Sequence, residues 1–281
     1  MINDTFRINY KTIPIAIGLC SGEYDTTLHN HSEFEIIYVT EGSSIISAGD
    51  KTYKASQGDL VLINPYEIHS VEIDKTHPYY HICICFDCDI IIDKTIAEKL
   101  KNKQLFINHY ISKDKPFSKE LRMFFEKAVE SHNDNTSCSD TEVISYISLI
   151  FAAIIKNNQT KEHIEQSKNT IFCSKILSYI AKNYKYNISS KDVATFLSYN
   201  QSYFCRHFQK NFGQSFSEYL NMYRVSTSKQ FLEQTNYTIT QIAGLCGFTS
   251  HSYFSKCFKE VLGISPSHYQ KSFKNTKSSS T

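Results

Sequence analysis

The sequence predicts an α+β multidomain chain: an N-terminal β-barrel with following helices, then an all-α C-terminal domain with two helix-turn-helix units. Three observations predict it. Short runs of β-branched and aromatic residues, separated by turn residues, fill the region before residue 93, as in a sandwich or barrel. Beyond that point apolar residues recur at helical spacing. The last third contains an internal repeat with an offset of 50 residues.

The strand candidates are Phe34 to Val39, Ser44 to Ser47, Lys51 to Lys54, Leu60 to Ile63 and Tyr79 to Phe86. Glu41-Gly42, Gly49-Asp50, Gly58-Asp59 and Asn64-Pro65 separate them as turn signals. Leu121, Phe124, Phe125 and Ala128 then have helical spacing. Ser139 to Glu142 has the capping-box form and opens an apolar helix to about Ile155. That helix is apolar over much of its circumference, which fits burial in its own domain or a dimer contact. The expected boundaries are 1–115 for the barrel, 116–156 for a helical segment that could dimerise, and 157–170 for a linker. Residues 171–273 form the helix-turn-helix domain, and 274–281, rich in Ser, Thr and Lys, form a disordered tail.

Charge divides the chain in the same way. Residues 1–170 carry 17 Lys and Arg against 24 Asp and Glu, a net of −7, whereas residues 171–281 carry 13 against 4, a net of +9. A basic domain joined to an acidic one suggests that only the basic part meets a polyanion. The nine cysteines are scattered, which fits free thiols in a reducing cytoplasm. The N-terminus has no apolar signal region, and the longest apolar run, Ile147 to Ile155, is too short to span a bilayer. No membrane partner is expected.

The repeat lays Ser202 to Tyr219 over Ser252 to Tyr269, with eight of 18 positions identical. Each copy reads as short helix, tight turn and longer helix. In the first, Ser190 caps a helix through Leu197, Ser198 to Asn200 turn, and Gln201 to Phe212 form the longer helix, ended by Gly213. In the second, Thr238 to Cys246 form the short helix, Gly247 the turn, and Ser250 to Leu262 the longer helix, ended by Gly263. A connecting helix spans about Phe216 to Glu233. Phe204, Phe208 and Phe212 lie at i, i+4 and i+8 and should face inward, as should Phe254, Phe258 and Val261. The opposite faces carry Gln201, Ser202, Cys205, Arg206, Gln209 and Lys210 in one copy. In the other they carry His251, Ser252, Ser255, Lys256 and Lys259. A polar, basic face on the second helix of such a unit suits the major groove of double-stranded DNA. Arg206 can bind guanine bidentately, Lys256 can reach guanine or phosphate, and Lys210 and Lys259 suit phosphate. For a single helix, a solvated face would explain these residues equally well; two repeated basic helices favour DNA.

At these residues the chain resembles the AraC family of bacterial transcription regulators. Ile242-Ala243, Gly247-Phe248, Ser252-Tyr253-Phe254, Phe258-Lys259 and Gly263-Ile264-Ser265-Pro266 with Tyr269 are similar to its signature. Arg224 sits where the family's connecting helix usually carries Arg, while Gln270 stands where Arg is usual and Ser228 where Ala is common. Cys205 is unusual on a reading face. In the N-terminal half Gly22, His29-Asn30-His31, Glu35 and Gly42 look like a first cupin motif, and Gly58-Asp59, Pro65 and His69 like a shortened second one. The resemblance implies a cupin-like barrel that binds a small-molecule effector, such as a sugar, near His29, His31, Glu35 and His69. A homodimer through residues 116–156 is expected from the apolar helix there, with RNA polymerase a further candidate partner.

His29, His31, Glu35 and His69 could alternatively hold a divalent metal, because His and carboxylate sets suit zinc or iron. That reading would make the chain a metal-dependent enzyme with an attached DNA-binding domain. The short second motif weighs against it, so no cofactor and no catalysis are expected. His81, Cys83 and Cys85 alternate on one strand face, where burial as small apolar groups is the expected role of the cysteines.

Overall fold

The computed structural model describes residues 13–21, 26–74, 76–134, 136–162 and 167–278. Gly22 of the first motif and residues 279–281 lie outside them. The chain forms two compact units, Ile8–Ser174 and Lys175–Thr281.

The N-terminal unit contains β1 (Ile15–Ser21), β2 (Thr26–His29), β3 (Phe34–Glu41), β4 (Ser43–Ala48), β5 (Lys51–Ser56), β6 (Leu60–Ile63), β7 (His69–Ile73) and β8 (Tyr80–Phe86). Helix α1 (Lys94–Lys101), the short strands β9 (Phe106–Ile107) and β10 (Tyr110–Ile111), helices α2 (Ser118–Asp134) and α3 (Ser139–Lys156), and β11 (Thr160–Lys161) follow. The strands form an antiparallel sheet in the order β1-β8-β3-β6-β10 and a second in the order β2-β7-β4-β5. Hydrogen bonding therefore gives two large sheets and one two-stranded sheet, β9 with β11, among the described residues, and no closed ring of strands.

Alternation along β3 shows how the layers form. Ile36 pairs with Leu62 and Ile84, and all three belong to a core shared with Leu121, Phe125, Ile147 and Phe151 of the helices. Ile37 pairs with Val61, and both pack with Ile46, Ala48 and Val71 of the other sheet. The first sheet is thus covered on both faces, which explains why Leu60 to Ile63 are apolar and buried at every position.

Asp59 holds an edge of this sheet. Its carboxylate accepts from Ser56 N, Tyr110 OH and Lys113 N. The expected capping box at Ser139 does not form: Cys138 is the N-cap, and Ser139 Oγ accepts instead from Thr136 N of the preceding turn. The expected linker contains β11, which pairs with β9. No described helix is long and apolar enough to cross a membrane.

The next helix, α4 (Lys168–Asn183), continues into the C-terminal unit, which holds α5 (Ser190–Phe196), α6 (Gln201–Phe212), α7 (Phe216–Gln234), α8 (Ile239–Leu245), α9 (His251–Leu262) and α10 (Pro266–Ser278). The cap of α5 is Ser189, one residue before the expected Ser190, because Asp192 then sits where a reciprocal capping box closes. Capping boxes also open α7 at Ser215 and Glu218 and α8 at Thr238 and Gln241. Helix α10 runs to Ser278 because no Gly or Pro interrupts it after Pro266; residues 274–278 extend this helix where a tail was expected.

Helix α7 is buried on all sides from Tyr223 to Lys229. Arg224 helps fix it: Nε donates to Tyr184 O and Nη2 to Tyr186 O, both at 2.8 Å. Burial depresses the Arg224 pKa from its ordinary value, and its guanidinium lies 5.7 Å from the Phe248 ring centroid. The Arg of the connecting helix is thus an internal fastening, and Arg224→Ala should destabilise this unit by about 2–3 kcal/mol in urea unfolding, through lost packing and two unpaired carbonyls.

Candidate functional site

The repeat folds as two matching helix-turn-helix units. Helix α6 has Asn200 as N-cap and α9 has Ser250, and each cap's side chain accepts from the backbone N–H of N3, Tyr203 and Tyr253. Each helix spans 12 residues and ends in a left-handed glycine, Gly213 at φ 71° and Gly263 at φ 74°. Phe204, Phe208 and Phe212 are buried against Phe216 and Tyr219, with Phe208 and Phe212 stacked at 4.2 Å. Phe254 and Phe258 are buried, but Val261 is exposed and Cys257 takes the inward place. Leu262, four residues on from Phe258, packs on this core, so the inward row ends at 262 and Val261 lies off it.

Gln201, Ser202, Cys205, Arg206, Gln209 and Lys210 are all exposed on α6. His251, Ser252, Lys256 and Lys259 are exposed on α9, and Ser255 is half-buried. Gln201 is partly engaged, since its Nε2 donates to Ser190 Oγ at 2.9 Å. Arg206, Lys210 and Lys259 form no ion pair among the described residues, and Lys256 has only a surface contact of 3.8 Å with Glu260. Their cationic ends are therefore available to phosphate or base. Glu260 occupies on α9 the place of Lys210 on α6, so the two faces differ in charge at that point.

In the N-terminal unit His29, His31, Glu35 and His69 come together. His29 and His69 pair across β2 and β7, with ring centroids 4.1 Å apart. Each imidazole Nδ1 meets a backbone carbonyl: Thr27 O at 2.9 Å for His29, Glu33 O at 3.2 Å for His31 and Glu67 O at 2.9 Å for His69. His31 Nε2 and His69 Nε2 converge on one Glu35 oxygen at 3.2 and 3.1 Å. Burial alone would raise the Glu35 pKa, but the two imidazoles hold it well below the ordinary carboxylate value. Burial also opposes charge on His31, yet its bond to Glu35 raises its pKa. His29 is pushed well down by burial, then by His69 and His31.

These donors fit a divalent cation. One nitrogen each from His29, His31 and His69 lies within 4.8 Å of the others, and the Nδ1 contacts orient the rings as second-shell carbonyls do at metal sites. The three histidines with Glu35 are the residues that would hold it, and the cation would supply a Lewis-acidic point for an effector oxygen. Cys85 joins His31 and Glu35 in a second such set, while its thiol pKa is pushed up to about 12, its bond to Cys83 opposing burial and the Glu35 charge.

A network absent from the sequence reading lies nearby. Glu67 and His109 form a buried pair at 2.8 Å, His109 Nδ1 meets Tyr53 OH at 3.1 Å, and Asn64 donates to Glu67 from N and Nδ2. Burial would raise the Glu67 pKa, but His109 and Asn64 hold it below the ordinary value. Glu67→Ala should cost about 3–5 kcal/mol at pH 7, since it strands buried partners. A depressed folded pKa contributes stability above the unfolded value of about 4.3 that is lost as pH falls through the folded value. The gap between wild type and variant should therefore close below about pH 4 in urea titrations.

Comparison with known proteins matches residues 15–161 to the description "AraC-like ligand binding domain" and 193–272 to "Helix-turn-helix domain". The HTH-type transcriptional regulator YfiF of Bacillus subtilis is 24% identical, over 96% of this chain and 88% of its own length. The Msm operon regulatory protein of Streptococcus mutans is 24% identical, over 86% and 85%. The lactose operon transcription activator of Staphylococcus xylosus is also 24% identical, over 94% and 92%. Apo ToxT from Vibrio cholerae shares the fold, with a TM-score of 0.50 and 17% identity over 94% of this chain and 98% of that one. The ligand-binding description spans more than half of the sequence and the helix-turn-helix description covers both long helices, so the chain belongs to the AraC family of DNA-binding transcription regulators, which is not an enzyme family.

Proposed function

We propose that the chain is a cytoplasmic regulator that reads two successive major grooves of its promoter through α6 and α9 and responds to a sugar or related metabolite. The observation that carries this reading is the pair of equally long helices, each side-chain-capped and ended by a left-handed glycine, with aromatic faces inward and polar, basic faces outward. Arg206 and Lys256 read base edges, while Lys210 and Lys259 hold phosphate. The 19 residues of α7 span roughly 28 Å, close to the 34 Å repeat of the groove. The effector is anchored by His29, His31, Glu35 and His69, and the sugar-operon relatives support its chemical class. Exposed Met123, Leu149 and Ile155 on α2 and α3 support homodimerisation through residues 116–156, and RNA polymerase is the partner at the promoter. Mapping the binding sites of a tagged copy in its native host tests the reading. A few sharp sites are expected beside sugar-utilisation genes; scattered, sequence-independent occupancy would overturn it.

A second reading, with a divalent cation inside the effector anchor, is favoured by the three carbonyl-oriented imidazoles. Metal analysis of protein purified without chelator decides it: about one equivalent per chain supports the cation, and substoichiometric metal with full DNA binding dismisses it.

A further inference from the structure

A cavity of about 530 Å³ opens in the N-terminal unit, and none of His29, His31, Glu35 and His69 lines it. This volume falls in the range of small-molecule sites. The turn before β5 supplies Asp50, the start of β5 Lys51, the loop before β7 Glu67, and the stretch after β9 His109; Lys115 and Lys161 add two further charges. All the lining residues fall within Ile8–Ser174.

The walls are fixed before any ligand arrives. Asn64 exchanges hydrogen bonds with the Ile107 backbone, donating from Nδ2 and accepting at Oδ1, and so ties β9 to the loop that carries Glu67. Tyr53 stacks on Tyr110 at 5.5 Å and 10°, which gives a rigid flat platform beside Phe106. Gly49, at φ +58°, keeps the floor open: a Cβ there would lie 2.7 Å from Glu67 Oε1.

The charges are unevenly occupied. Both carboxylates already have donors: Asp50 accepts from Ser167 N, Ser167 Oγ and Thr170 Oγ1, and Glu67 accepts from Asn64 and His109. The three lysines, 51, 115 and 161, form no ion pair among the described residues. A wall with an excess positive charge thus stands in a region, residues 1–170, whose net charge is −7. No described carboxylate lies within ion-pair distance of these ammonium groups, so an anion from solution is the complementary partner.

We propose that this cavity is a binding site for a small organic anion, a phosphate or carboxylate on a flat or ring-shaped polar body, held by Lys51, Lys115 and Lys161 over the Tyr53 platform. It rests on the reading of this unit as the effector-binding part and places a ligand against Glu67 of the 64–69 loop rather than among the histidines. One loop serves both places, because Glu67 bonds His109 through its side chain and His69 through its carbonyl. Its lining includes Thr170 in the first turn of α4, a helix whose residues beyond Ser174 belong to the C-terminal unit. A bound anion can therefore bias both the loop and the start of that helix.

Calorimetric titration of the full chain with glucose 6-phosphate, gluconate and glucose tests the site. At least one of the two anions should bind at least tenfold more tightly than glucose. A K51Q/K115Q/K161Q variant, altered only at exposed side chains, should lose that preference while binding its DNA site as wild type does. The response to glucose 6-phosphate or to gluconate identifies phosphate or carboxylate as the recognised group. Equal affinity for glucose, an unaltered preference in the triple variant, or no anion binding at 10 mM would overturn the proposal. Glucose binding abolished by His31→Ala but not by the triple variant would overturn it too, while leaving the effector reading intact.

Discussion

Gly247→Ala should destabilise the C-terminal unit by about 3 kcal/mol or more and abolish specific DNA binding. Gly247 turns the chain between α8 and α9 at φ +85°, and a Cβ there would lie 2.4 Å from Tyr184 O and 3.0 Å from the Lys185 backbone. These are backbone atoms that cannot swing aside, and Tyr184 O also accepts from Arg224. The left-handed conformation alone costs an L-residue about 1–2 kcal/mol. Ser198 makes the matching turn of the first unit at φ 60°, so this conformation by itself tolerates a side chain. What demands glycine at 247 is the close approach of residues 184–185. Gly213→Ala and Gly263→Ala serve as controls, because both have positive φ and nothing within 4 Å. They should cost only about 1 kcal/mol. Urea unfolding of the three variants checks this. Equal losses at 213, 247 and 263 would remove the packing explanation.

Salt should weaken DNA binding steeply. The basic charge of residues 171–281, a net of +9, is carried largely by exposed side chains such as Lys182, Lys191, Arg206, Lys210, Lys256 and Lys259. Arg224 and Lys229 are buried and belong to the interior. If two reading heads make six to ten phosphate contacts, affinity should fall about 10³–10⁵-fold between 50 and 200 mM salt. Fluorescence anisotropy with a labelled operator measures the slope. Lys259→Ala should lower the slope by about one and weaken all sequences alike. Binding that is indifferent to salt would mean that the basic faces of α6 and α9 do not meet the phosphates.

Much of this could be read from the residues. The helix-turn-helix pair was legible because local signals coincide: the turn at Gly247, helix-ending glycines at 213 and 263, and aromatic residues four apart. Strand β6 was legible because burial leaves it continuously apolar, and β3 because only Glu35 interrupts the apolar run from Phe34 to Val39. By contrast β7 was missed, since His69, Ser70 and Glu72 interrupt its apolar pattern. Strands β9, β10 and β11 are two residues each, too short for any periodicity. The histidine cluster could be named from spacing, because His29, His31 and Glu35 share one parity. The Glu67–His109 pair could not, because 42 residues separate its partners and contacts distant in sequence, Asn64 with Ile107 and β6 with β10, bring them together. The small-to-polar run Ser226-Thr227-Ser228 also gave no hint that α7 is buried on all sides, which depends on packing by helices distant in sequence.

Selection of binding sites from a random DNA pool, with wild type and Arg206→Ala side by side, tests most directly whether α6 and α9 read sequence. Wild type should enrich a motif with two half-sites about one helical turn apart, roughly 10–10.5 base pairs. Arg206→Ala should lose about 1–3 kcal/mol of preference at one base pair, within one half-site, and keep the rest. The same motif from both proteins, with undiminished preference at every position, would contradict the role given to Arg206 and to the helix that presents it.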